Sequence, residues 1–181
     1  MKAVFLDRDG TINCDKKYLF KREGFEYLCG VKDALKCFSD AGFLLIIITN
    51  QSGIARGFYT EQDYSVLTDW MLSDLKNDGI EISAVYFCPH HPKASILQYK
   101  KDCDCRKPKT GLFLKAVADY KIDLSQSYAI GDKERDVAIC KESDCKGFVL
   151  YSGKNERVGN VTYINGGLKE ACDILLGDFK C

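Results

Sequence analysis

The stretch Lys2-Ala3-Val4-Phe5-Leu6-Asp7-Arg8-Asp9-Gly10-Thr11-Ile12-Asn13 decides the reading of this chain. A short apolar run without polar alternation suits a strand buried on both faces of a parallel sheet. It stops at two aspartates separated by one residue, and the glycine that follows lets the backbone bend sharply. An isolated Asp-x-Asp can mark no more than a solvated turn. Directly after a buried strand, the same pair of carboxylates can converge on one point.

Outward from this stretch, strands alternate with helices. Phe43–Thr49, Ala84–Cys88, Tyr128–Gly131, Phe148–Tyr151 and Val161–Ile164 read as strands. Val31–Ala41 carries apolar residues at helical spacing, with Gly42 as a stop. Thr60, with Asp63 after it, reads as the N-cap of a helix reaching about Asp78-Gly79. Further helices are expected from Lys109 or Thr110 to about Tyr120, over Glu134–Ser143 and over Leu168–Leu176. Such alternation predicts an α/β fold, a doubly wound, Rossmann-type parallel sheet with helices on both faces. Ligands bind such sheets beyond the carboxyl ends of the strands. Asp7 and Asp9, Thr49-Asn50 and Asp132 all fall there.

Between Asp7 and Thr49 there is room for one loop and one helix. Between Thr49 and Lys107 lie a helix, a strand and an irregular loop. Neither interval accommodates an independent cap domain. Without repeats or linkers, residues 1–181 read as one domain.

Composition narrows the function. Lys plus Arg and Asp plus Glu both number 26, so the formal net charge is zero, which disfavours a basic nucleic-acid binder. The aromatic residues are spread along the chain and make no clustered stacking platform. The apolar run Phe43–Ile48 is too short to span a bilayer, and Ala3–Leu6 is too short for a signal-peptide core. A cytoplasmic location is therefore expected, with neither membrane nor nucleic acid as a partner. There, clustered cysteines bind metal more often than they pair.

Ten cysteines are present, and three of them sit in one pattern. Cys88-Pro89-His90-His91-Pro92 is followed by Cys103-Asp104-Cys105-Arg106-Lys107-Pro108. Three thiolates and one imidazole, from His90 or His91, match a closed structural zinc site of the Cys₃His type. Such a clip suits a long loop without regular structure. With no open coordination position, this zinc would stabilise the loop and leave catalysis to other groups. Lys100, Lys101, Arg106, Lys107 and Lys109 can offset the negative charge of the thiolates. Trp70, at helical spacing from Leu67, reads as a core or half-buried residue.

The string Asp7–Asn13 resembles the first motif of the haloacid dehalogenase (HAD) phosphatase superfamily. Thr49-Asn50, Lys107 and Gly131-Asp132-Lys133-Glu134-Arg135-Asp136 follow in the order of that superfamily's other motifs. The resemblance implies a Mg²⁺-dependent phosphatase. Asp7 would be the nucleophile and form an aspartyl-phosphate. Asp9 would protonate the leaving oxygen and later deprotonate water. Asp7, Asp132 and the backbone carbonyl of Asp9 would hold Mg²⁺, an oxygen-preferring cation. Thr49 and Lys107 would bind the transferring phosphoryl group. Asp136 would either support this set or touch the metal.

The Cys-Pro-His and Cys-x-Cys-Arg-Lys-Pro loop further resembles the subgroup of histidinol-phosphate phosphatases and heptose 1,7-bisphosphate 7-phosphatases. Its length, and the run Thr49-Asn50-Gln51-Ser52-Gly53-Ile54-Ala55-Arg56-Gly57-Phe58, are closer to the heptose enzymes. This resemblance selects His90, with Cys88, Cys103 and Cys105, as the zinc ligands. It also implies substrate contacts from Asp15, Lys16, Lys17, Tyr18, Thr49, Asn50, Gln51, Ser52, Arg106, Lys107 and Lys133. The expected substrate is a small sugar phosphate, and the expected pathway leads to nucleotide-activated heptose for lipopolysaccharide. A monomer is expected. A histidinol-phosphate phosphatase and a non-catalytic sugar-phosphate-binding module are the alternatives. A bisphosphate needs a second cationic zone, for which Arg106 is the first candidate. The alternative for Arg106 is a surface residue that only offsets the zinc thiolates.

Overall fold

In the computed structural model of the chain, residues 1–177 are described. In chain order the regular elements are β1 (Ala3–Leu6), α1 (Val31–Asp40), β2 (Leu44–Asn50), a short α2 (Ser52–Ala55) and α3 (Glu61–Asn77). They continue with β3 (Ala84–Cys88), α4 (Gly111–Tyr120), β4 (Tyr128–Gly131), β5 (Lys146–Val149), β6 (Glu156–Val158), β7 (Val161–Tyr163) and α5 (Leu168–Leu176). The strands form one sheet in the order β3-β2-β1-β4-β5-β7-β6, parallel throughout except for β6.

β1 lies inside the sheet, between β2 and β4, and is buried along its whole length. Side-chain alternation sends Val4 and Leu6 to one face, against Leu35 and Phe38 of α1 and Met71 and Leu75 of α3. Ala3 and Phe5 face the other way, where the Phe5 ring meets Phe113 of α4 edge-on at 5.4 Å. Two apolar cores therefore flank one sheet, as the strand–helix alternation predicts. α3 starts as the sequence suggests. Thr60 accepts from the Asp63 amide at 3.1 Å while Asp63 accepts from the Thr60 amide at 2.8 Å. Trp70 is half-buried and packs edge-on against Phe25 at 5.2 Å.

Three expectations are corrected. The segment after β4 is not an α-helix over Glu134–Ser143. It is a pair of 3₁₀ turns over Glu134–Lys141, broken at Val137. Asp136 bonds the Lys133 amide and meets Lys107 at the same time, which tightens the first turn. β5 begins two residues earlier than Phe148, at Lys146. Gly147 makes this possible, because a Cβ there would lie 2.9 Å from the Cys140 sulfur of the 3₁₀ segment packed above it. Finally, β6 was unexpected and is antiparallel. Its residues are all exposed and show no alternation. The two-residue Gly159-Asn160 turn before Val161 is the hairpin signal that marks it.

No helix among the described residues is long and apolar enough to cross a membrane. Of the cysteines outside the Cys88–Cys105 pattern, Cys14, Cys29, Cys140, Cys145 and Cys172 carry free thiols. Cys37 is not a free thiol, and Cys181 lies outside the described residues.

Candidate active site

The sheet order reverses direction between β1 and β4, and the crevice at such a switch point opens beyond their carboxyl ends. Asp7 follows β1, and its amide donates to the Ile130 carbonyl of β4 at 3.0 Å. Asp132 follows β4. Gly10 sits between them with φ +85°, and a Cβ there would lie 2.6 Å from Asp132 Oδ2. Only glycine lets the turn after β1 approach Asp132 so closely. Asp7, Asp132 and Asp136 each offer a carboxylate oxygen within 4.8 Å of the others. Asp132 Oδ1 is buried without a hydrogen-bond partner. An all-oxygen acidic set with an orphaned buried acceptor suits a hard divalent cation such as Mg²⁺.

Lys107 completes this centre. Its Nζ lies 2.9 Å from Asp7 and 2.7 Å from Asp136, with all three side chains buried. It also donates to the Ile48 carbonyl at the end of β2. Burial pushes the Asp7 carboxyl up to about 7; Lys107 opposes that rise, while the charges of Asp136 and Asp9 add to it. Burial also opposes the charge on Lys107, but Asp7 and Asp136 outweigh it and raise the lysine above its ordinary value. Negative charge thus exceeds positive charge locally, which favours a bound cation.

Asp9 is fixed from several sides. The buried Arg8 guanidinium donates to both its oxygens from Nη2 at 2.9 Å, Asn13 donates at 3.1 Å and Gln51 at 3.0 Å. Gln51 is held in turn by the Tyr59 hydroxyl, which donates to its side-chain carbonyl at 2.6 Å. Asp7 and Asp9 open into a cleft of about 280 Å³. Asp15, Lys17 and Tyr18 line one side of it, and Thr49, Asn50, Gln51 and Ser52 another. Lys16 is not among the lining residues and pairs with Glu26 at 3.0 Å. Lys133 reaches Asp132 Oδ2 at 2.6 Å. The Arg106 Nη1 donates to the His90 carbonyl at 3.3 Å.

The structure also brings Tyr59 and Arg135 to the cleft, neither of which the sequence analysis assigned to a site. Tyr59 follows the Thr49–Phe58 run and could have been included with it. Arg135 lies inside Gly131–Asp136, but its direction depends on the 3₁₀ turn, and no helical periodicity predicts that.

The Cys–His loop folds onto the end of β3. Cys88 lies 3.6 Å from Cys103 and 3.2 Å from Cys105, and the latter two sulfurs are 3.2 Å apart. His90 Nδ1 stands 3.2 Å from Cys105 and 3.8 Å from Cys88. These four ligand atoms all lie within 4.8 Å of one another, close enough to share one metal ion, and three thiols with one imidazole is a zinc-type donor set. His91 points elsewhere: its Nδ1 accepts from the Lys93 amide at 3.0 Å, and its Nε2 meets Arg56 at 3.5 Å. Burial, reinforced by Lys101, lowers the pKa of His90 and favours the neutral imidazole that a metal needs. From this cluster the chain runs directly to Lys107. The Asn50 side chain clamps Lys107, accepting from its amide and donating to its carbonyl, both at 3.1 Å.

The comparisons agree with this architecture. The HAD-hydrolase-like family model matches residues 104–164. A D-glycero-beta-D-manno-heptose-1,7-bisphosphate 7-phosphatase from Haemophilus ducreyi is 47% identical over 150 residues, covering 82% of each chain. The enzyme of that name from Escherichia coli K12 is 45% identical over 135 residues, 75% of this chain and 71% of its own. The crystal structure of a D,D-heptose 1,7-bisphosphate phosphatase from B. bronchiseptica, complexed with magnesium and phosphate, superposes with a TM-score of 0.83. That chain is 27% identical, with 97% of this chain and 98% of its own covered. This chain is a HAD-superfamily phosphatase and belongs to the heptose 1,7-bisphosphate 7-phosphatase family.

Proposed function

We propose that this enzyme removes the 7-phosphate of D-glycero-D-manno-heptose 1,7-bisphosphate through an aspartyl-phosphate on Asp7. The carrying observation is the buried Asp7–Lys107–Asp136 contact beside Asp132 and Asp9, in a chain 47% identical to a named phosphatase of that substrate. The Asp7 carboxylate attacks phosphorus, the bond from phosphorus to the sugar oxygen breaks, and Asp9 donates its proton to that oxygen. Water then attacks the same phosphorus while Asp9 takes its proton, which frees inorganic phosphate and restores Asp7. Arg8, Asn13 and Gln51 orient Asp9 for both transfers. Thr49 and Lys107 bind the phosphoryl oxygens.

Asp7, Asp132 and the Asp9 carbonyl hold Mg²⁺, and Asp136 supports the set by positioning Lys107. The cation supplies charge neutralisation for a dianionic ester that would otherwise repel a carboxylate nucleophile. Cys88, His90, Cys103 and Cys105 hold structural zinc, which keeps the loop carrying Arg106 and Lys107 in place. Asp15, Lys17, Tyr18, Asn50, Gln51, Ser52 and Lys133 contact the sugar phosphate, whereas Lys16, expected among them, is turned to Glu26. In this reading residues 1–181 form one domain that works as a cytoplasmic monomer and supplies nucleotide-activated heptose.

A turnover panel with Mg²⁺ tests the substrate. Both anomers of the heptose bisphosphate are expected to exceed histidinol phosphate in kcat/KM, and a preference for histidinol phosphate contradicts the assignment. Asp7→Asn is expected to lower kcat by at least about 10³-fold.

The raised Asp7 carboxyl makes Mg²⁺ compete with a proton. In the metal-free folded protein Asp7 keeps its proton up to about pH 7, whereas in the unfolded chain it loses it near pH 4. Metal-free stability should therefore fall as pH rises through that window, and Mg²⁺ binding should release the proton. The apparent Mg²⁺ affinity is expected to rise with pH up to about 7 and then level off. Titration calorimetry across that range checks this, and an affinity independent of pH contradicts it.

Zinc is tested by metal analysis. Cys103→Ser should abolish stoichiometric zinc, lower Tm and reduce kcat, because Lys107 loses its tether. Full zinc retention contradicts the ligand set.

A further inference from the structure

Beyond the carboxylate–lysine centre, Arg135 lines the cleft, Arg56 lies near the cleft residue Tyr18, and Arg106 comes from the segment that carries Lys107. Arg56 follows α2. Its guanidinium lies 6.0 Å from the ring of Tyr18, a cleft residue, and its Nε is buried without a partner. Arg106 comes from the Cys–His loop and is half-buried. Arg135 comes from the 3₁₀ segment after β4, lines the cleft beside Asp7 and Asp9, and leaves 45% of its side chain exposed. Its one carboxylate neighbour, Asp136, stands 3.7 Å away and is already engaged by Lys107 at 2.7 Å.

The charges of Arg56 and Arg135 both repel that of Arg106. Arg56 and Arg106 also bear together on His91. Elsewhere several surface cations sit on carboxylates, as in the pairs Lys32–Asp74, Lys115–Asp119 and Lys154–Glu156. Among the described residues, neither Arg56 nor Arg106 has such a pair. Like charges gathered at a partly dehydrated rim cost free energy, and a bound anion returns it. Guanidinium groups also present paired donors that match phosphate oxygens.

We propose that Arg56 and Arg135 join Arg106 in a subsite for the second phosphate of the substrate, the one that stays on the sugar. This rests on the bisphosphatase reading above. The transferring phosphate meets Lys107 and the carboxylate centre at the floor of the cleft, and the retained one meets the three arginines at its rim. The subsite makes the enzyme select for a substrate with phosphates at both ends.

Steady-state kinetics of Arg56→Ala, Arg135→Ala and the corresponding lysine variants test this, with heptose 1,7-bisphosphate and heptose 7-phosphate as paired substrates. Each alanine variant should raise KM for the bisphosphate about tenfold and lower its kcat/KM advantage over the monophosphate by the same factor. Lysine should recover part of the loss, since it restores charge without paired donors. An unchanged bisphosphate advantage in both alanine variants overturns the subsite. So does an equal loss on both substrates, which would place the arginines on the transferring phosphate or in a structural role. A wild-type enzyme with no preference for the bisphosphate overturns the functional reading, and the subsite with it.

Discussion

The contact on which the site depends is one buried ammonium held between two buried carboxylates. Lys107 touches Asp7 and Asp136 at 2.9 and 2.7 Å, and no part of this trio is well exposed to water. Burying such charges is costly, and breaking one partner away leaves a charge with nothing to offset it, a loss of about 3–5 kcal/mol. Three distant segments are thereby brought into register: the end of β1, the exit of the Cys–His loop and the turn after β4. The packing of β1 between two apolar cores supplies the rigid floor against which this contact is made.

The same arrangement explains why a loop gathered by a Cys₃His cluster sits far along the chain from the aspartates it serves. Residues 89–109 have almost no regular structure, with a single short 3₁₀ turn at Leu97–Tyr99. A loop of that kind cannot by itself hold a lysine within hydrogen-bond distance of two carboxylates. The Cys₃His cluster fixes it one residue before Arg106 and two before Lys107, and Asn50 clamps the backbone of Lys107 from β2. Specificity and catalysis then share one segment. Lys107 turns inward to Asp7 and Asp136, while Arg106 donates to the His90 carbonyl.

Much of this was legible in the sequence because the fold places chemistry at strand ends. The apolar run before Asp7, the capping pair Thr60 and Asp63, and the Cys-x-His and Cys-x-Cys spacings are local signals, and each reports a local constraint. The Glu134–Lys141 segment was misread because its conformation answers to a tertiary demand, the contact of Asp136 with Lys107. The start of β5 at Lys146 depends on a tertiary contact, the Cys140 sulfur packed against Gly147, which local apolar patterning does not encode. Arg135 was overlooked for a related reason: its direction follows from the tight turn, and no periodicity in the chain encodes that. Lys16 and Lys17 are adjacent and chemically alike, yet one pairs with Glu26 and the other lines the cleft. Only the path of the backbone separates them.

The central claim is that phosphorus is transferred first to Asp7 and then to water. Each displacement inverts the configuration at phosphorus, so two in succession restore it. The most direct measurement is the stereochemical course of hydrolysis in isotopically labelled water, using a substrate whose 7-phosphoryl group is made chiral with oxygen isotopes and sulfur. Net retention at phosphorus is the expected result. Net inversion would mean that water attacks the substrate directly, and would contradict the account.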